Sequence, residues 1–292
     1  MTKFMKKIGK LFIGGRWYIC VRNKNTNGNF VFLKAPRFSF CADPIPFSYK
    51  GKSYIFCEQF KEITKKGCIG FFEKEEKAFV NKGIVLERPY HLSYPCVFEH
   101  NGLVYMIPET SENKSIELYV SESFPFSWKL LSILLKGKEY VDSTIVRFNN
   151  SLHLITYYNE NGVYFVEEYL LNIEDTTVTK ENAFSLSLNT GRGAGLFFEK
   201  DGVLCRPTQN CVDQYGDGVF INSVSFAPSY SETQLDFISV DCIAKKCKKR
   251  ISAFHTIGYL GDYEIIDVFV KRFDPTYNIG CLLARRKRKK HI

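Results

Sequence analysis

Four acidic residues, Asp43, Glu58, Glu109 and Asp142, have the types and spacing for sugar chemistry. When carboxyl groups face one cavity, one acts as base or nucleophile, a second with raised pKa acts as acid, and others bind hydroxyls. Asp43, Glu109 and Asp142 are the catalytic candidates, with Glu58 in a binding role. Each alone has a plainer reading: the aspartates cap turns and the glutamates sit on exposed edges. What sets them apart is that all four fall at equivalent places in an internal repeat.

Three further stretches carry chemistry-bearing side chains. His91-Leu92-Ser93-Tyr94-Pro95 places an imidazole and two hydroxyls beside a repeat start, although a lone His is more often structural. Gly191-Arg192-Gly193-Ala194-Gly195 permits either a tight turn or close approach of a ligand, with Arg192 clamping a phosphate or carboxylate. It has neither the spacing nor the following helix of a nucleotide-binding loop. Arg206-Pro207-Thr208-Gln209, followed by Tyr215, adds a second cation and an amide, and two arginines in one unit suggest an anionic ligand. His255 lies near the start of the last unit.

The elements that must position these residues are hairpins. Residues 43–58 (DPIPFSYKGKSYIFCE) and 94–109 (YPCVFEHNGLVYMIPE) match at an offset of 51, aligning Pro44 with Pro95, Phe47 with Phe98, Gly51 with Gly102, Tyr54 with Tyr105 and Glu58 with Glu109. A third copy starts at Asp142, a fourth spans Gly193–Gln209, and a fainter fifth lies around Ser252–Val268. Each is an apolar strand, a tight turn and a second strand. Further strand-like runs, Gly67–Glu73, Ser115–Val120, Gly162–Leu170 and Gly218–Ser225, lie between them. Units of about 50 residues with three or four strands are blades, so the expected fold is all-β, a five-bladed β-propeller over residues 15–280. A two-sheet sandwich gives no reason for one pattern to recur. In a propeller the repeat-start positions (Asp43, Tyr94, Asp142, Ala194) and second-strand ends (Glu58, Glu109, Tyr157, Gln209) converge at one end of the channel.

Composition agrees. The chain has 292 residues, 45% hydrophobic and 15% aromatic, which permits a sizeable core and favours strands. No apolar run is long enough to span a bilayer, and the N-terminus lacks the features of a signal peptide. The ten cysteines form no CxxC pair, so they read as reduced, mostly buried thiols of a cytoplasmic protein. Net charge is +9, concentrated at the ends. In residues 1–14, Phe4, Ile8, Leu11 and Phe12 share one helical face opposite lysines, and residues 281–292 form a basic tail. These segments fit an anionic membrane surface, and equally a frayed start and a solubilising tail. The middle of the chain has no basic stripe, so no nucleic-acid partner is expected.

Taken together, ADPIPF, GKSYIFCEQF, PYHLSYPCVFEHNGLVYMIPET, VDSTIV and GRGAGLFFEKDGVLCRPTQNC resemble the N-terminal domain of plant glucosamine inositolphosphorylceramide transferases and bacterial relatives in surface-polysaccharide clusters, over roughly residues 14–270. The resemblance implies a five-bladed propeller akin to furanoside-active glycoside hydrolases, with Asp43 as base or nucleophile, Glu109 as acid and Asp142 as the tuning carboxylate. Tyr94 stands where those hydrolases generally carry an acid. With the arginines and basic ends, that departure favours a glycosyltransferase of capsule or O-antigen synthesis. It would move a sugar from a phosphorylated donor held by Arg192 and Arg206 to a glycan or lipid-linked glycan acceptor at the cytoplasmic membrane face. His91, Ser93, Tyr94, Glu58, Gln209, Tyr215 and His255 would complete the substrate site. The alternatives are a furanoside hydrolase and a non-catalytic glycan-binding propeller. No reading requires a cofactor, although a channel cation is compatible with the fold.

Overall fold

The computed structural model describes residues 13–26 and 28–273. Two strands, β1 (Ile13–Asn23) and β2 (Val31–Phe32), precede the first complete blade and belong to the last one. Blade one is β3 (Ser39–Tyr49), β4 (Lys52–Lys61), β5 (Lys66–Lys74) and β6 (Phe79–Leu86). Blade two is β7 (Ser93–His100), β8 (Leu103–Thr110), β9 (Ser115–Ser123) and β10 (Ser127–Lys136). Blade three is β11 (Val141–Phe148), β12 (Ser151–Glu160), β13 (Val163–Asn172) and β14 (Thr177–Leu186). Blade four is β15 (Phe198–Lys200), β16 (Val203–Asn210), β17 (Gly218–Ser225) and β18 (Ser231–Ser239). A short helix, α1 (Val240–Ala244), leads to β19 (Ile251–Ala253), β20 (Ile257–Leu260) and β21 (Tyr263–Phe273). These join β1 and β2 in the fifth sheet, so the fold is the five-bladed propeller expected.

Local chemistry explains the recurrence. The inner hairpins of blades one to four turn at Lys50-Gly51, Asn101-Gly102, Asn149-Asn150 and Asp201-Gly202, with both residues of each pair at positive φ. That is the twist-matched two-residue turn, which favours Asn, Asp and Gly. Burial grades outward. In blade one, β4 and β5 are continuously buried through their middles, whereas the outermost strand β6 alternates buried or half-buried with exposed residues. The interblade core is aromatic: Phe56, Phe71, Tyr119 and Trp128 pack together between blades one and two. Full burial of such a side chain contributes about 1.5–3 kcal/mol.

The ring closes through the first described strand. All 11 residues of β1 pair antiparallel with β21, from Ile13 opposite Phe273 to Asn23 opposite Tyr263. β1, although it precedes the first complete blade in sequence, is part of the fifth blade and completes it. Residues 1–12 and 274–292, which include most of the basic N-terminal segment and all of the basic tail, lie outside the described residues. Among the described residues no helix is long and apolar enough to cross a membrane, and nine cysteines are free thiols.

Candidate active site

The innermost strands of blades one to three share one irregularity. Pairing slips between Ala42 and Ile45, between Ser93 and Cys96, and between Val141 and Thr144. The residue inside each slip, Asp43, Tyr94 or Asp142, has φ of 50°, 40° or 50°. A bulge with a left-handed non-glycine residue is costly and re-aims a side chain. Here it gathers three repeat-start side chains at one end of the channel. The second-strand residues opposite follow suit, with Glu58 pairing Ala42, Glu109 pairing Ser93 and Tyr157 pairing Val141.

The acids form one electrostatic group. Asp142 accepts a hydrogen bond from Arg192 Nε at 2.7 Å and from Gln209 Nε2 at 3.2 Å. Arg192 Nη2 stands 3.7 Å from Glu109 Oε2, which accepts the Asp142 backbone N–H. Asp43 Oδ2 accepts the Tyr94 N–H at 3.3 Å, and its Oδ1 faces His255 Nε2 at 3.4 Å. Burial, reinforced by Asp267 and Asp142 against the pull of His255, raises the Asp43 carboxyl to about 6. Burial and then Asp142 raise Glu109 to about 8, against the pull of Arg192. Burial, with the charges of Asp43 and Glu109, holds Glu58 well above the usual carboxylate range. At neutral pH the site therefore sets an ionised Asp43 beside a neutral carboxylic acid, Glu109.

Sequence reasoning missed Asp267. Fully buried on β21, it accepts the Asp43 N–H at 3.0 Å, the Thr256 N–H at 3.0 Å and His255 Nδ1 at 2.7 Å. Burial disfavours a charged His255, but the neighbouring Asp267 and Asp43 outweigh it and raise the imidazole pKa. The only available signal was a lone Asp in the apolar run EIIDV of the faint fifth repeat. Asp43, His255 and Asp267 also present ligand atoms within 4.8 Å of one another, a set that could hold a metal ion with the imidazole neutral. Trp17, on β1, was missed as well: it stacks on His255 at 3.9 Å with 11° between the planes.

Other expected residues take more specific parts. His91 Nδ1 accepts the Gly67 N–H, which puts its proton on Nε2, 3.3 Å from Glu58 Oε1. Ser93 is buried opposite Glu109. The Tyr94 hydroxyl donates to Gly195 O at 2.9 Å and accepts the Gly195 N–H at 3.0 Å, so this side chain ties blade two to blade four. Tyr215 lies under Arg192, whose guanidinium carbon is 5.5 Å from the ring centre. Arg206 does not join the others. It is fully buried, with Nη1 on Glu232 at 2.6 Å and Nη2 on the Gly191 carbonyl at 2.9 Å. The glycines flanking Arg192 also depart from the ligand-approach reading. A Cβ on Gly193 would meet the Tyr94 hydroxyl at 2.7 Å, and one on Gly195 would meet the Ile257 carbonyl at 2.0 Å. Neighbouring blades fill the space those residues leave.

Comparison with known proteins follows this geometry. Residues 32–260 match the family model described as glucosamine inositolphosphorylceramide transferase 1, N-terminal. A curated relative, glucosamine inositolphosphorylceramide transferase 1 of Arabidopsis thaliana, is 32% identical over 68% of this chain. The chain spans only 28% of that relative's length. Among solved structures, an exo-β-1,3-galactanase from Phanerochaete chrysosporium aligns with a TM-score of 0.59 at 10% identity, covering 88% of this chain and 64% of that one. A family 117 glycoside hydrolase from Zobellia galactanivorans aligns at 0.54 and 10% identity, covering 91% and 92%. At such identities the likeness to these solved structures is one of fold.

Proposed function

The chain belongs to the family of the glucosamine inositolphosphorylceramide transferase 1 N-terminal domain, and from that premise we propose that it transfers a sugar from a phosphorylated donor to a hydroxyl of a glycan acceptor. The observation that carries this reading is the split protonation of Asp43 and Glu109 beside a fixed guanidinium. Ionised Asp43 takes the proton of the acceptor hydroxyl as its oxygen bonds to the anomeric carbon. The bond from that carbon to the phosphate oxygen breaks, and the departing phosphate takes the electron pair while protonated Glu109 hydrogen-bonds to that oxygen. Arg192 spends its Nε on Asp142 and keeps donors for that phosphate. Arg206 is left out of the donor site, because its charge is spent on Glu232.

The setting we propose is bacterial surface-polysaccharide synthesis, capsule or O-antigen, at the cytoplasmic membrane face, with a lipid-linked glycan among the acceptors. It rests on the sequence resemblance and on charge. Residues 3–10 and 285–291 are rich in lysine and arginine, and Ile13 pairs with Phe273 beyond Asp267, at the acid-bearing end of the channel. Anionic headgroups attract each such residue by about 1 kcal/mol.

One observation favours a second reading, a glycoside hydrolase. The proton held on Glu109 suits a sugar-alcohol leaving group, which needs protonation more than a phosphate does. The deciding experiment offers sugar nucleotides and phosphosugars with a glycan acceptor, and separately an aryl furanoside alone. Transfer from a phosphorylated donor is expected. Hydrolysis of the furanoside without one would establish the hydrolase instead, and saturable glycan binding without turnover would make the propeller a binding module.

A further inference from the structure

A cavity of about 550 Å³ lies between blades one and two, lined by Tyr49, Tyr54, Glu73, Leu103, Phe124 and Phe126 among others. It sits at the hairpin-turn ends of those blades, away from the acids. Tyr54 is four residues from Glu58 along β4, and Leu103 six from Glu109 along β8, about 13 and 20 Å of extended strand. We infer that this cavity is a second, non-catalytic glycan site, which holds a neutral oligosaccharide. The assignment goes beyond the function proposed above and is independent of whether the acids transfer or hydrolyse.

The floor of the cavity is polar. Tyr54 is 4% exposed, and its hydroxyl has no hydrogen-bond partner among the described residues. Glu73 stands opposite it in the β4–β5 register. One carboxylate oxygen of Glu73, Oε1, takes Lys52 at 2.8 Å, while Oε2 stands 4.0 Å from Lys82 and keeps room for a donor. A buried phenol costs free energy until a partner satisfies it. A sugar hydroxyl matches this pair, because it accepts from a phenol and donates to a carboxylate.

The walls are aromatic and the rim is open. Phe124 is wedged between Tyr49 and Tyr54, with ring centroids at 4.8 and 5.0 Å. Phe126 meets the buried Phe71 at 5.6 Å and is itself 60% exposed, so a ring face stays free for a ligand. Leu103, on the neighbouring hairpin, is 52% exposed. A sugar ring has an apolar C–H face bordered by hydroxyls, which suits an open aromatic ring above a polar floor. Charge decides between a neutral and an ionic ligand. Lys50 and Lys52 line the cavity together with Glu73 and Glu122, two of each sign. A nucleotide or an acidic glycan would set its own negative charge against the two carboxylates, whereas a neutral glycan meets a balanced surface.

The two tryptophans of the chain separate this cavity from the acids. Trp128 Nε1 donates to the Pro125 carbonyl at 2.9 Å, and its ring lies 6.1 Å from Phe124, so it reports on the cavity. Trp17 stacks on His255 instead. The test applies the full chain to an array of neutral and acidic oligosaccharides, then titrates the retained ones by calorimetry and tryptophan emission. Neutral glycans should be retained, and Asp43→Asn should retain them too. Phe126→Ala, at an exposed position, should weaken their binding about 10- to 100-fold. Tyr54→Phe, which removes only the hydroxyl, should weaken it about 3- to 10-fold. In Trp17→Phe, where Trp128 is the remaining tryptophan, the same glycans should still change the emission. Binding that is lost in Asp43→Asn and unchanged in Phe126→Ala and Tyr54→Phe would confine glycan to the acids and overturn the second site. Retention of acidic glycans alone, or of none, would overturn it as well. Turnover of a phosphorylated donor is read separately, so its absence would refute the transferase and leave this site standing.

Discussion

The backbone N–H of Asp43 donates to the carboxylate of Asp267, 224 residues further along the chain, at 3.0 Å. Through this bond the first blade's bulge and the last blade's second strand define one another. Asp267 also fixes His255, so the environment of the proposed base is set by residues from the far end of the sequence.

Loss of any catalytic carboxylate should abolish turnover without unfolding the ring. Asp43→Asn, Glu109→Gln and Asp142→Asn should each reduce transfer about 10²- to 10⁴-fold; the first two should melt within a few degrees of the parent, and Asp142→Asn lower because it breaks the pair with Arg192. Full activity in all three would refute the site.

Rate should follow a bell in pH. Asp43 must be ionised, so activity falls as pH drops through about 6; Glu109 must keep its proton, so activity falls as pH rises through about 8. A kcat/KM profile that is flat from pH 5 to 9 would contradict these roles.

Stability at high pH should be limited by Glu109. Its pKa is raised above 4.5 in the fold, so its contribution to stability is complete below 4.5 and is lost as pH climbs through about 8. Glu109→Gln removes that titration. The variant's melting temperature relative to the parent should rise by several degrees between pH 5 and pH 9, read by scanning calorimetry.

His255→Gln should move the acid limb upward. The imidazole's charge lowers the Asp43 carboxyl, so its removal carries that pKa above 6. It also leaves Asp267 buried without its partner, which should cost about 3–5 kcal/mol in denaturant unfolding. An unchanged acid limb in a folded variant would separate His255 from the proposed base.

The two arginines should behave differently. Arg192→Ala should raise the donor KM and lower kcat, because its guanidinium faces the acids. Arg206→Met should lower stability by breaking the buried pair with Glu232 and leave the donor KM unchanged. A raised KM in the second variant would restore Arg206 to the donor site.

Much of this was legible because blades one to four repeat a turn and blades one to three a bulge at a fixed distance from it. Gly51, Gly102, Asn150 and Gly202 mark turns that need positive φ, and a constant distance from them locates Asp43, Tyr94 and Asp142. Equivalence in sequence became proximity because the blades share one axis. Asp267 and Trp17 were not legible for the converse reason: both lie on the strand pair β21–β1, whose register joins opposite ends of the chain. Arg206 misled because its partner, Glu232, sits 26 residues away on an outer strand, and no local pattern announces that contact. The glycines around Arg192 signalled close approach correctly, but what approaches is the protein itself.

The pairing of β1 with β21 sets the moment at which this protein becomes competent. During synthesis four blades can form before His255 and Asp267 have left the ribosome, yet until then Asp43 has neither its imidazole neighbour nor the acceptor for its N–H. Ring closure joins residues at the greatest sequence separation in the fold, the class of contact that forms slowly. The proposed chemistry therefore depends on ring closure, because Asp43 gains both neighbours only from the blade that β1 completes.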